Sequence, residues 1–358
     1  MRTSPPAVRS HPVRTRHPLV ALAAGLCLLG TACAGSDDAG TGGSTADDDA
    51  ARTDGGYPLT LENCGTTLTF EQPPERVVVM DGASVAEVST LLALGQEDRI
   101  VSNQQSYGMS EIDGRAEAID RLPTGGVETN DAHDIPREAM LGLTPDLVLS
   151  TTAYGFDSTN GFATREDLAA VGADTYISPQ GCDQDTSSMT VEDSYTLLTE
   201  LGAVFGVPEA AEEIVAASRE RVATVENAVE GRDRPAVMVL FSNMSMGANE
   251  FSAVAVNGIY DDILASAGGT NVFAGTTDGS FADLSRETVA ATDVEALVVI
   301  SFNDPDAESY AQDLLKEFPQ WPAAQNDTYT VLSDSAYLGP DNDEAIERIA
   351  RMLHPDAF

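Results

Sequence analysis

Two stretches of this chain share one design. "DIPREAMLGLTPDLVLS" runs from Asp134 to Ser150, and "DLSRETVAATDVEALVV" runs from Asp283 to Val299. Each begins Asp, an aliphatic residue, any residue, Arg, Glu. Each then passes through a short helix-like stretch into an apolar, β-rich run. A helix-to-strand device repeated 149 residues further along requires two similar halves, each built from alternating helices and strands. The length of 358 residues and the hydrophobic content of 42% allow two domains, each with its own core.

The surrounding segments fit that frame. "YPLTLENCGTTLTFEQPP" (Tyr57–Pro74) alternates apolar and polar residues and reads as a β-hairpin. "RVVVM" (Arg76–Met80) is a continuous apolar strand of the kind buried in a parallel sheet. Ser84 is placed to cap the helix "VAEVSTLLAL", which stops at Gly95. "RIVS", "DLVLS" and "TYIS" are further strands, with helices from about Ile135 and around Arg165–Val171. A helix from about Thr190 to Phe205 is followed by one from Pro208 to about Glu230, roughly 34 Å long at ~1.5 Å per residue. The pattern then restarts with "AVMVLF", the helix "VNGIYDDILASAGG", the second motif with strand "ALVVI", the strand "YTVLS" and a closing helix Asp341–Leu353. Gly95 lies 39 residues before Asp134, whereas Gly268 lies 15 before Asp283, so the first half carries about 24 extra loop residues from roughly Asn103 to Asn130.

The first residues lie outside this pattern. Arg2, Arg9, Arg14 and Arg16 precede the apolar run "LVALAAGLCLL", whose length and flanks suit a secretory signal over residues 1–32. "GTAC" then ends at Cys33 and resembles a bacterial lipobox, which implies acylation of Cys33. Leu29 stands four residues before that cysteine, one more than the usual spacing. An ordinary signal cut near Ala32 or Ala34 is the alternative. Residues 33–56 are small, polar and acidic and read as a flexible tether. In an oxidising compartment the two remaining cysteines, Cys64 and Cys182, are expected to pair, the alternative being two buried thiols. The net charge of −39 excludes nucleic acid and anionic lipid surfaces as partners. No CxxC occurs and the four His are scattered, so no metal site is expected.

The lipobox, "PERVVVMDGASVAEVSTLLALGQEDRIVS", "PREAMLGLTPDLVLS", one long helix, "ILASAGGTNVF" and "FADLSRETV" together resemble the substrate-binding lipoproteins of ABC importers for ferric siderophores, haem and vitamin B12. The resemblance covers the chain from about Tyr57 to the end. It implies two Rossmann-like lobes with parallel sheets, residues 57–187 and 233–358, with a helical connection over 188–232 and a fairly preformed ligand cleft between the lobes. It also implies an extracytoplasmic location, a lipid anchor at the outer face of the cell membrane, and a permease dimer with its ATPase as partner. Glu138 and Glu287 take the places of the two exposed glutamates that dock on permease arginine clusters. Each also sits in the first turn of an expected helix, where a carboxylate is favoured. Arg137 and Arg286 are expected to pair locally.

Open α/β sheets bind ligands beyond the carboxyl ends of their strands. Those ends here offer Asp81, Ser84, Gln105, Tyr107, Tyr154 and Phe156 in the first lobe. In the second they offer Asn243, Met246, Phe251, Phe281 and Tyr337, with His133 in the place matching Phe281. Aromatic and amide groups nearly free of Lys and Arg suit a large, weakly charged ligand. The expected order is a ferric hydroxamate-type siderophore, then cobalamin, then haem, with iron present only inside the ligand and no resident cofactor. Two other classes compete with this one: a sensor or structural lipoprotein on the same fold, and a hydrolase. For the hydrolase, "NMSMG" (Asn243–Gly247) resembles half of a nucleophile elbow, but the next stretch, "ANEFSAVAV", looks extended where an elbow needs a helix.

Overall fold

A computed structural model describes residues 56–81, 84–106, 109–183, 185–244, 247–302, 304–334 and 338–358. The signal, nearly all of the tether, Cys33, Tyr107, Met246 and Tyr337 lie outside the described residues.

The chain enters through a hairpin of β1 (Leu59–Asn63) and β2 (Thr66–Phe70). The first lobe then alternates β3 (Val77–Val79), α1 (Ala86–Ala93), β4 (Ile100–Asn103), α2 (Arg115–Asp120), α3 (Arg137–Gly142), β5 (Leu147–Ser150), α4 (Arg165–Ala169) and β6 (Asp174–Ile177). Its sheet runs β4-β3-β5-β6 and is parallel throughout. The connection from β3 to β4 goes one way and that from β4 to β5 crosses back, which puts the topological switch point between β3 and β5. The α3 helix begins at Arg137 rather than Ile135, because Pro136 is extended (φ −62°, ψ 150°) and disfavours helix in the residue before it.

Two helices follow, α5 (Val191–Val204) and α6 (Pro208–Val229). Ala211, Ser218, Val225 and Val229 form the buried stripe of α6, at spacings that return to one helix face. At the α5–α6 contact, a Cβ on Gly202 would stand 2.4 Å from the Ala211 methyl, so the glycine permits this approach.

The second lobe holds β7 (Ala236–Phe241), β8 (Phe251–Ala255), α7 (Ile259–Ser266), β9 (Thr270–Asn271), β10 (Phe281–Leu284), α8 (Arg286–Ala291), β11 (Ala296–Ser301), α9 (Ala307–Glu317), α10 (Pro322–Asn326), β12 (Tyr329–Ser333) and α11 (Asn342–Leu353). The order is β10-β8-β7-β11-β12, with β9 also on β7. The expected parallel pairing holds at the centre of this sheet, with an addition at one side. The strands β7, β11, β12 and β9 are parallel, but β8 and β10 add an antiparallel flank. "ANEFSAVAV" turns straight back into β8, and a return that short permits only antiparallel pairing.

Strand alternation sets three cores. Val77, Val79, Leu147 and Leu149 face one way, and so do Val237, Val239, Val298 and Ile300; all join a single apolar cluster with α1, α5, α6, α7 and α11. Val78, Met80 and Val148 face the outer layer of the first lobe, and Met238, Leu240, Leu297 and Val299 that of the second. Each buried Val or Leu contributes roughly 1.5–3 kcal/mol. The shared middle core runs beneath the cleft and ties the lobes together. Polar links add to it. Thr186 Oγ1 lies 2.8 Å from Ser280 Oγ, Val191 N donates to Asp262 at 2.9 Å, and Ser333 N donates to Glu111, in the extra loop of the first lobe, at 2.6 Å.

Cys64, in the hairpin turn, is disulfide-bonded to Cys182 beyond β6, with Cα atoms 5.4 Å apart. Next to it, the Asn63 amide donates to Ile177 O at 2.7 Å and accepts from Ile177 N at 2.9 Å. The side chain thus caps the open edge of β6, which would otherwise present unpaired backbone groups. No described helix is long and apolar enough to cross a membrane.

Candidate functional site

At the switch point the strands β3 and β5 separate into diverging loops. A cavity of about 630 Å³ lies there, lined by Asp81, Gln104, Ser106, Thr129, Ala132, His133, Asp134, Tyr154, Gly155 and, from the second lobe, Phe302. Contributions come from the ends of β3, β4, β5 and β11, so the cavity lies between the lobes. Two smaller depressions, of about 460 and 340 Å³, are lined by second-lobe residues alone.

Asp134 organises the floor. It is 3% exposed; its Oδ2 accepts from Asp81 N at 3.1 Å and its Oδ1 from Ile135 N at 2.8 Å. The loop after β3 is thereby pinned to the loop before α3. Asp81 itself is half-buried, and its carboxyl is pushed up to about 7, first by burial and then by the charge of Asp134. Gln104 is oriented by bonds from its Nε2 to Ser102 Oγ (2.9 Å) and Thr124 O (3.2 Å). His133 adopts φ 64°, a left-handed backbone that carries its exposed side chain to the cavity. Tyr154, 40% exposed, packs edge-to-face on Phe162 with centroids 5.7 Å apart.

The second lobe supplies an aromatic wall. Phe241 is buried at the end of β7 and makes edge contacts with Phe281 (5.4 Å), Tyr260 (5.8 Å) and Phe302 (6.3 Å). The loop after β7 is held by Asp283, whose carboxylate accepts from Ala248 N (3.1 Å) and Asn249 N (3.0 Å). A Cβ on Gly247 would meet that carboxylate at 2.5 Å, which accounts for the glycine in "NMSMG".

The expected contacts divide into two sets. Asp81 and Tyr154 line the cavity, Phe281 is half-buried in the aromatic wall, and Asn243 is exposed on the loop after β7. Four others turn inward. Ser84 is buried, its Oγ accepting from Ala86 N. Gln105 is buried, donating to Glu87 at 2.6 Å and accepting from Val88 N. Glu87 is 0% exposed and also accepts from Thr151 and Ser178, so Gln105 serves a polar knot under the strands and not a ligand-facing loop. Phe156 belongs to the outer core of the first lobe, and Phe251 is fully buried against Phe318 in the second. Phe302, Ser106, Thr129 and Asp134 join the cavity without having been expected there. Phe302 carries a readable signal, since it directly follows an apolar strand at its carboxyl end. His133 does line the cavity, but Ala132 is the residue two before the motif Asp, as Phe281 is in the other copy.

The two motif copies present their Arg-Glu pairs in the same way. Arg137 forms a two-bond pair with Asp167, at 2.7 and 2.9 Å, which holds that carboxyl well below the usual range. Arg286 pairs with Glu250 at 3.1 Å and with Glu317. Both arginines are thus engaged locally. Glu138 and Glu287, second residues of α3 and α8, are exposed and make no ion pair with a described side chain.

A family model described as periplasmic binding protein matches residues 77–336. Among solved structures, the chain is similar to an ABC-type Fe3+-hydroxamate transport system protein from Saccharomonospora viridis, with 30% identity and a TM-score of 0.66, over 83% of this chain and 99% of that one. A periplasmic binding protein from Veillonella parvula is 20% identical with a TM-score of 0.65, over 83% and 97%. A periplasmic heme-binding protein from Roseiflexus is 22% identical with a TM-score of 0.57, over 79% and 99%. Among curated proteins the sequence finds no match.

Proposed function

This chain belongs to the periplasmic binding protein family, and we propose that it captures a ferric hydroxamate-type siderophore outside the cytoplasm and delivers it to the permease of an ABC importer. One observation carries this reading. The inter-lobe cavity is lined by aromatic, hydroxyl and amide groups, and no Arg or Lys is among its described residues. Three hydroxamates neutralise Fe3+, giving a compact, semi-apolar complex that needs stacking faces and a few hydrogen-bond partners. A ferric catecholate carries several negative charges and would meet two carboxylates with no cation to offset them. The volume suits one ligand of this size. The 30% identical S. viridis relative, named for Fe3+-hydroxamate transport, supports the same choice.

In this reading Glu138 and Glu287 dock on the permease, one from each lobe. Cys33 is acylated, which anchors the protein at the outer face of the cell membrane. The continuous core beneath the cleft supports a nearly preformed site, so capture needs little domain movement.

Haem is the second reading. His133 and Tyr154 share the cavity, and both residue types serve as axial ligands. Against it, haem propionates would face Asp81 and Asp134.

Calorimetric titration of the mature protein with ferric hydroxamate, ferric catecholate, cobalamin and haem discriminates these readings. Micromolar or tighter binding of a hydroxamate complex, at least a hundredfold tighter than the others, is expected. Binding of haem or cobalamin with none of the hydroxamates would replace the proposal. Calorimetry is preferable to tryptophan quenching, because the sole Trp, Trp321, is buried in the outer core of the second lobe.

A further inference from the structure

We propose that the cleft selects among ferric hydroxamates by charge, taking a chelate that bears a pendant ammonium, and that Asp81 receives that ammonium. This rests on the hydroxamate reading and deepens it.

The metal-binding core of a ferric trihydroxamate is neutral, so the net charge of the whole complex is set by whatever its backbone carries at its ends. The cavity discriminates on that charge. Asp81 and Asp134 both line it, and no guanidinium or ammonium does among the described residues. The two carboxylates differ in availability. Asp134 is 3% exposed and committed to the backbone N–H groups of Asp81 and Ile135. The Asp81 side chain makes no hydrogen bond with a described residue, while its backbone is pinned by Asp134. It is a held acceptor at the carboxyl end of β3, at the switch point, where ligands of such sheets lie. Among the described residues, the other titratable groups lining the cavity are His133 and Tyr154, and the second lobe contributes Phe302. Arg115, in the extra loop, is bonded to Ser89 O at 2.6 Å.

Burial and Asp134 raise the Asp81 carboxyl to about 7, so near neutrality it is close to half-protonated. An ammonium in contact would restore the ionised form and expel a proton. The chain's net charge of −39 works in the same direction at long range, attracting a cationic complex more than a neutral or anionic one.

The test uses one linear ferric trihydroxamate in three forms: with its terminal amine free, acetylated, and succinylated. Wild-type protein is expected to bind the amine form at least tenfold more tightly than the acetylated form, and the succinylated form least. In Asp81→Asn the ratio of amine to acetylated affinity should fall to within twofold, while Asp81→Glu should keep a preference. Calorimetry at pH 7 in buffers of different ionisation enthalpy should show proton release on binding the amine form, lost in Asp81→Asn. Equal binding of the three forms by wild type, or a preference that survives Asp81→Asn, would overturn the charge selection and leave the hydroxamate reading standing. Failure of all three forms to bind would overturn both.

Discussion

The two copies of the Asp-x-x-Arg-Glu device do the same job in different surroundings. Asp134 pins the loop after β3, the first strand of its lobe; Asp283 pins the loop after β7, the first sheet strand of the other. Each Arg is tied down by neighbouring carboxylates, and each Glu is left exposed. The difference is burial. Asp134 is enclosed in the cavity wall and adds negative charge to it, whereas Asp283 is exposed beneath a surface loop. The repeat therefore fixes the cleft loops of both lobes, but only the first copy also sets the electrostatics of the site.

Breaking the parity of the exposed glutamates should have the largest consequence. Glu138→Ala with Glu287→Ala is expected to abolish ligand uptake by cells while leaving calorimetric affinity unchanged. Each single change should give a partial loss, and lost affinity in the double variant would contradict the docking role.

The disulfide sharpens the contrast between lobes, since it staples the first lobe alone. It closes a separation of 118 residues, for which the chain-entropy model gives roughly 4–5 kcal/mol. Cys64→Ser with Cys182→Ser should lower the urea midpoint accordingly. Hydrogen exchange should show protection lost first around β6 and the β1–β2 hairpin, with β7, β11 and β12 retaining theirs.

A third difference is the extra loop that reaches across to the second lobe. Ser110 Oγ stands 3.4 Å from Asp341 Oδ2, and burial above all pushes the Asp341 carboxyl up to about 6; the charge of Glu111 adds to this, while Arg115 opposes it. The folded state then holds this proton where the unfolded chain, with a carboxyl near ~4, has released it. Relative stability is fully present below about pH 4 and falls as pH rises through about 6, by on the order of 2–3 kcal/mol. The difference between wild type and Asp341→Asn, followed by urea unfolding across that interval, should show this slope, and a flat difference would refute it.

The smallest effects compare the motif aspartates directly. Asp134→Ala should cost roughly 2 kcal/mol, because buried N–H groups lose their acceptor. Asp283→Ala should shift the unfolding midpoint by less, since water can replace its carboxylate. Only Asp134→Ala should also weaken ligand binding, through the loosened Asp81 loop. Equal shifts in both variants would mean that burial does not distinguish the copies.

Much of the architecture was legible in the residues. Short unbroken apolar runs marked β3, β5, β7 and β11, because strands covered on both faces have no polar side to show. Pro208 placed the start of α6, and the cysteine count anticipated the Cys64–Cys182 bond. The site was less legible. A Glu inside "VAEVSTLLAL" looks like a helix surface residue, and nothing local says that Glu87 is buried beneath Gln105, Thr151 and Ser178. Phe251 and Phe281 look alike in sequence, both following polar loops. The antiparallel flank of the second lobe buries the first and leaves the second half-exposed.

By itself, then, the sequence determined the duplication, the parallel core strands, the connecting helix and the cation-poor strand ends, because periodicity, capping and composition are properties of neighbours along the chain. Only the tertiary structure decided which polar ends face the cleft and which face each other. That choice depends on strand order and on the packing of loops far apart in sequence. Asp81 meets Asp134 across 53 residues, and Gln105 turns away to Glu87. Burial of that kind, which no local pattern encodes, separates the half-buried cavity carboxylate of Asp81 from the buried, fully committed one of Glu87.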